Sequence, residues 1–156
     1  MKTFLATILI VALLVSCKSG TSLSKQESIA QVTEKIESGR YTFVPTTAIP
    51  MAGKSINLSY TFSLKISKDT ISAYLPYYGR AYSAPMSSEE AGINFTSTDF
   101  DYSISENNKG LRNATINIKD NRRKYKLSLQ IGESGYATLN IQDSDRQPIS
   151  FNGRVE

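Results

Sequence analysis

The chain is predicted to be a mainly β, α+β protein: an antiparallel meander of about eight or nine strands forming a small barrel or sandwich, with one N-terminal amphipathic helix packed on it. Three observations carry this. From Tyr41 onward apolar and polar residues alternate with a period of two, the mark of half-buried strands. The links between those segments are short and rich in Asn, Asp, Gly and Lys, whereas parallel strands need crossovers of about a dozen residues or more. Ahead of Tyr41 stands one stretch whose apolar residues recur at three- and four-residue spacing.

The amino terminus comes first in chain order. Met1-Lys2-Thr3 gives a short positive start, Phe4 to Val15 is an apolar run interrupted by Thr7 alone, and Ser16 precedes the only cysteine, Cys17. This is the layout of a secretory signal over residues 1–16, too short for the roughly 20 residues of a membrane-crossing helix. Leu14-Val15-Ser16-Cys17 resembles the lipobox of bacterial lipoproteins, which implies that Cys17 is acylated and becomes the first residue of the exported protein. The lipid bilayer is then a partner through Cys17. Residues 17–23, rich in Ser, Gly and Thr, are expected to be a flexible tether, and residues 24–156 a single β-rich domain. With Lys in place of Asp after the cysteine, and no acid before Glu27, the expected address is the outer membrane, the domain facing the periplasm.

Ser24-Lys25-Gln26-Glu27 reads as a capping box that opens a helix over about 25–38. Ile29, Val32, Thr33 and Ile36 form its apolar stripe, and Ser38-Gly39 offers a left-handed stop. Strands follow: Tyr41 to Val44, then Ser59 to Ser67 with Tyr60, Phe62, Leu64 and Ile66 on one face, then a Lys68-Asp69 turn into Thr70 to Leu75. A weaker Ile93 to Phe95 precedes segments built on Phe100-Tyr102-Ile104, Ala114-Ile116-Ile118, Tyr125-Leu127-Leu129-Ile131, Ala137-Leu139-Ile141 and Ile149-Phe151-Val155. Pattern alone leaves barrel and sandwich open.

One segment breaks the meander. Pro76 to Gly92 has no clean period, and long structureless loops are uncommon in compact domains. Its first half, Pro76-Tyr77-Tyr78-Gly79-Arg80-Ala81-Tyr82, follows Tyr74 and joins flat amphipathic rings to a guanidinium. Tyr74, Tyr77, Tyr78, Arg80 and Tyr82 are therefore the candidate binding residues, for a glycan, a peptide or an envelope protein. The competing reading is a loop that folds back to plug the barrel, with Arg80 paired to a carboxylate.

The run Leu75-Pro76-Tyr77-Tyr78-Gly79-Arg80-Ala81-Tyr82-Ser83-Ala84-Pro85, with Gly92-Ile93-Asn94-Phe95 and the earlier Gly39-Arg40-Tyr41-Thr42-Phe43, resembles the uncharacterised Bacteroidetes lipoproteins gathered as domain of unknown function 4251. The resemblance spans most of residues 17–156. It implies a cell-envelope location and one domain, and it hands over no activity and no catalytic residues.

Chemistry is limited by what is missing. The chain has no histidine, which removes the commonest base, nucleophile activator and transition-metal ligand, and Cys17 is assigned to lipid. No catalytic, metal or cofactor site is implied. A balance of 18 basic against 14 acidic residues is too mild to imply nucleic acid. The basic run Arg122-Arg123-Lys124 reads as a solvated hairpin tip or a contact for anionic headgroups. Paired acids at Asp99/Asp101, Glu89/Glu90 and Asp143/Asp145 keep a glycan-cleaving enzyme as the alternative to a non-catalytic binding or assembly module, with a purely structural envelope protein as a third reading.

Overall fold

The computed structural model describes residues 20–82, 91–107, 110–120 and 124–156, with the side chains of residues 20–26 and 28 excepted. Cys17, the signal segment, Glu89, Glu90, Arg122 and Arg123 lie outside the described residues. The elements are α1 (Gly20–Ser38) and ten strands: β1 (Tyr41–Pro50), β2 (Ile56–Asn57), β3 (Ser63–Ile66), β4 (Ile71–Leu75), β5 (Ile93–Ser97), β6 (Phe100–Glu106), β7 (Arg112–Ile118), β8 (Tyr125–Ile131), β9 (Tyr136–Asp143) and β10 (Arg146–Val155). Among the described helices none is long and apolar enough to cross a membrane.

Nine strands form one antiparallel sheet in the order β5-β4-β3-β1-β10-β9-β8-β7-β6, with β2 paired to β1. The two meanders, β1 to β5 and β6 to β10, join where the first strand meets the last, Phe43 opposite Val155 and Ala48 opposite Phe151. Curling then brings the two ends of the sheet together. Phe95 on β5 stacks on Tyr125 on β8 with centroids 4.9 Å apart, although their strands stand far apart in sheet order. The result is a nearly closed barrel rather than a sandwich.

Alternation decides what fills it. The inward residues of successive strands, among them Phe43, Leu64, Ile71, Leu75, Ile93, Ile116, Leu127, Leu129, Leu139, Ile141 and Phe151, are fully buried, each worth about 1.5–3 kcal/mol against exposure. Large side chains occupy the interior. Val32 and Ile36 of α1 join this core, and Gly39 ends the helix at φ 67°, donating its amide to the Ile36 carbonyl at 3.1 Å.

Three sequence expectations are corrected. The helix begins at Gly20, so Ser24 lies within it and does not cap it. β1 runs on to Pro50, six residues past Val44, because β10 and β2 supply partners along its length. The predicted strand over Ser59 to Ser67 shrinks to Ser63–Ile66, leaving Tyr60 85% exposed. Its neighbour β1 is bulged at Thr46, between Pro45 opposite Gly153 and Thr47 opposite Asn152, and Pro45 has no amide to donate.

The seam between β5 and β6 is held by side chains. Asp120, just past β7, accepts hydrogen bonds from the Ser97 hydroxyl and from the amides of Thr98 and Asp99, the last two at 3.0 and 3.2 Å. These bonds, the Ser97 hydroxyl foremost, hold the Asp120 carboxyl below its usual value of 3.8. A carboxylate with a depressed folded value adds stability above its unfolded value and loses it as pH falls through the folded one. Stability to denaturant should therefore fall with acid below about pH 4, and Asp120→Asn should flatten that dependence. An unchanged acid slope in the variant would remove Asp120 from the seam.

Candidate functional site

The loop after β4 is fixed by a residue that the sequence reading passed over. Arg146, the first residue of β10, is 3% exposed, and its Nε lies 3.0 Å from Oδ2 of Asp143, whose side chain is equally buried. Its two terminal nitrogens donate to the carbonyls of Ala91 at 3.2 Å and Gly92 at 2.9 Å, at the far end of the loop. The guanidinium carbon sits 4.7 Å from the centre of the Tyr77 ring, at the near end. One buried cation thus binds both ends of the loop to the β9–β10 turn.

Backbone pairing completes the attachment. Ala81 bridges to Arg146 in antiparallel fashion, the Tyr82 amide donates to the Asp145 carbonyl at 2.8 Å, and the Gln147 amide donates to the Arg80 carbonyl at 3.1 Å. The Tyr77 hydroxyl reaches the carbonyls of Arg80 and Gln147 at 3.0 and 3.1 Å, and partial burial pushes its pKa up. Residues 80–82 therefore lie beside the start of β10, joined to it by an isolated β-bridge.

The five candidate residues divide. Tyr77 and Tyr78 are half-buried and pack on the core. Tyr74 and Tyr82 are 51% and 67% exposed, Tyr74 stacked on Phe62 at 5.6 Å, and Arg80 is exposed. The buried arginine that a plug requires exists, but it is Arg146 and not Arg80. The sequence holds a trace of it, an acid and an arginine three positions apart at Asp143 and Arg146, although Asp143-Ser144-Asp145 reads there as a solvent turn.

The other paired acids are placed apart from one another in role. Asp101 is exposed and bonded to Lys119 at 2.6 Å, which raises the Lys119 pKa, while Asp99 is exposed at the seam. Asp143 is held by Arg146. Among the described residues no three of His, Cys, Asp and Glu stand together as a metal would require.

Two grooves are found among the described residues. A groove of about 350 Å³ runs between the end of α1 and β6, lined by Ile36, Gly39, Tyr102, Ile104 and Arg112 among others. Behind its lining the Tyr102 hydroxyl lies 3.1 Å from that of the buried Tyr41, and burial keeps the Tyr41 hydroxyl protonated far above its usual range. A larger groove, of about 750 Å³, crosses the outer face of the central strands and includes Thr46, Gln130, Tyr136, Thr138, Asn152 and Arg154. Single-strand alternation marks those residues only as outward-facing.

Comparison with known proteins agrees with this architecture. A family model described as a domain of unknown function, DUF4251, matches residues 23–155. The crystal structure of a DUF4251 family protein from Bacteroides eggerthii superposes with a TM-score of 0.61 at 11% identity, over 82% of this chain and 86% of that one. At that identity the likeness speaks for the fold. Among curated proteins nothing matches the chain significantly.

Proposed function

We propose a function from one premise: the chain belongs to the DUF4251 family, whose description names no activity, so the reading rests on the residues themselves. It is a non-catalytic binding or assembly module of the cell envelope, tethered to the outer membrane by acylated Cys17 with its domain in the periplasm. The observation that carries the binding role is the display of Tyr74, Arg80 and Tyr82 to solvent around a loop whose backbone is bound down by buried Arg146. Tyrosine and arginine on a preordered backbone lose little entropy on binding, which suits them to an interface. The alternative, a glycan-cleaving enzyme, needs two acids facing across a cleft. Asp101 and Asp143, each bonded to a cation, are poor candidates for that work.

Three experiments test the reading. Cys17→Ser should abolish labelling by radioactive palmitate and release the exported protein from membranes, whereas a variant still labelled would refute the anchor. Protease added to intact cells should leave the domain uncut if it faces the periplasm. For the binding role, the triple variant Tyr74→Ala, Arg80→Ala, Tyr82→Ala should melt within a few degrees of the wild type and lose the envelope crosslinks that the wild type forms. Equal crosslinking by both would defeat the role of this loop.

A further inference from the structure

We propose that the groove on the outer face of β8, β9, β10 and β1 is a second binding site, and that its ligand is a glycan bearing carboxylated sugars. It lies at the opposite end of the β9–β10 hairpin from the tyrosine loop: Tyr136 pairs with Arg154 at one end of these strands, Asp143 with Arg146 at the other. The two sites therefore stand or fall separately.

The chemistry of the lining decides the ligand. Its side chains are amides, hydroxyls, one tyrosine and a little aliphatic surface, no acid lines it, and Arg154 is the one charged residue. The polar groups are already oriented. The Thr138 hydroxyl donates to the Asn152 amide oxygen at 3.0 Å, across the register that pairs these two residues, which leaves the Asn152 NH₂ as a donor for a ligand. The Thr46 hydroxyl is directed to the Asn152 carbonyl at 3.2 Å, and further along the same face Ser150 donates to the Asn140 amide oxygen at 2.6 Å. Holding these groups in place before binding lowers the entropy that binding must spend.

Tyr136 supplies the apolar surface. It is 63% exposed, and the Arg154 guanidinium carbon sits over one face of its ring, 4.8 Å from the centre, so the ring and the cation are held together. A sugar ring laid on Tyr136 would place its C–H face on the aromatic surface and its hydroxyls among the amides, with a ring carboxylate taken bidentately by Arg154. Other ligands fit less well. An extended peptide would add to an open strand edge, but the four strands are interior to the sheet and already paired on both sides. Nucleic acid and an anionic membrane surface both need several cations, and this groove has one. The groove volume, about 750 Å³, is that of a small-ligand site.

The test is calorimetric titration of the full-length chain, purified in detergent, with an α-1,4-linked galacturonic acid trimer, and with the neutral galactose trimer of the same linkage as comparator. The acidic trimer should bind with a Kd on the order of 0.1 mM, weakening with added salt, and the neutral trimer roughly tenfold less tightly. Arg154→Met and Tyr136→Ala should each weaken the acidic trimer about tenfold or more, Arg154→Lys less, and Lys68→Met, which removes an exposed cation outside both sites, not at all. Because substitution on a central strand can disturb folding, amide shifts of the wild-type chain give an independent reading, expected to centre on Gln130, Thr138, Asn152 and Arg154. Equal affinity for the two trimers, or no binding up to about 10 mM, overturns the proposal. So do unchanged affinities in the Arg154 and Tyr136 variants, or shifts centred on Tyr74 and Tyr82.

Discussion

Arg146→Ala is expected to destabilise the protein by about 3–5 kcal/mol, the range for breaking a buried ion pair by removing one partner. The loss has two sources. Asp143, 3% exposed in the wild type, loses its cation, and the carbonyls of Ala91 and Gly92 lose their donors. For a domain of this size that corresponds to a fall in melting temperature of roughly 10–20 °C. Arg80→Ala, at an exposed position in the same loop, should stay within about 0.5 kcal/mol. The contrast identifies which arginine fastens the loop. A double variant, Asp143→Leu with Arg146→Leu, should regain part of the loss, because replacing both ions with apolar groups removes the unpaired charge. If Arg146→Ala unfolded less than 1 kcal/mol more easily than the wild type, the pair would have no part in holding the loop down.

Gly153→Ala is the second large effect, expected at about 3 kcal/mol, the upper end of what overpacking usually costs. A Cβ at this position would lie 2.2 Å from the Val44 carbonyl oxygen and 2.8 Å from the Pro45 Cα. Both obstacles are backbone, so no side chain can rotate away. The contact also falls where Pro45, opposite Gly153, opens the bulge in β1, and β1 joins the two meanders to each other through β10. Gly132→Ala provides the control, since the nearest atom to its added Cβ is 3.4 Å away, at the near edge of ordinary contact. Denaturant unfolding should separate the two variants by about 2 kcal/mol or more. Similar midpoints with unchanged slopes would mean that β1 and β10 can move apart at little cost.

Much of the architecture could be read from alternation. Residues such as Leu64, Ile116, Leu127, Leu139 and Phe151, assigned inward by their period of two, are the residues that fill the barrel. The stripe of Val32 and Ile36 and the stop at Gly39 were equally legible, because helix periodicity and a left-handed glycine are local properties. Errors arose where a distant partner overrode the local pattern. Tyr60 and Phe62 continue the alternation of Leu64 and Ile66, yet the strand stops short of them beside a bulge set by Pro45. Thr46 to Pro50 carry no clear period and still form strand, because β10 lies alongside to pair with them.

The candidate site was legible by composition and not by role. Five residues from Tyr74 to Tyr82 were identifiable as an unusual set, but which rings turn inward depends on where the chain crosses the β9–β10 turn, 67 to 70 residues later. Arg146 was hidden for the same reason: an arginine beside two aspartates looks solvated until a loop from elsewhere in the chain covers it.

The sequence by itself determined the strand-rich class, the face that most strands turn to the core, and the helix stripe. All of these are set by residue type and spacing within about a dozen positions. Only the tertiary structure decided that β1 pairs with β10, that Arg146 is buried against Asp143, and that Thr46, Thr138, Asn152 and Arg154 share one groove. The physical reason is that period reports orientation along one strand, whereas a site or a buried ion pair depends on which strands stand side by side. That neighbourhood is fixed by closure of the whole sheet, and Thr46 meets the carbonyl of Asn152 across a separation of 106 residues.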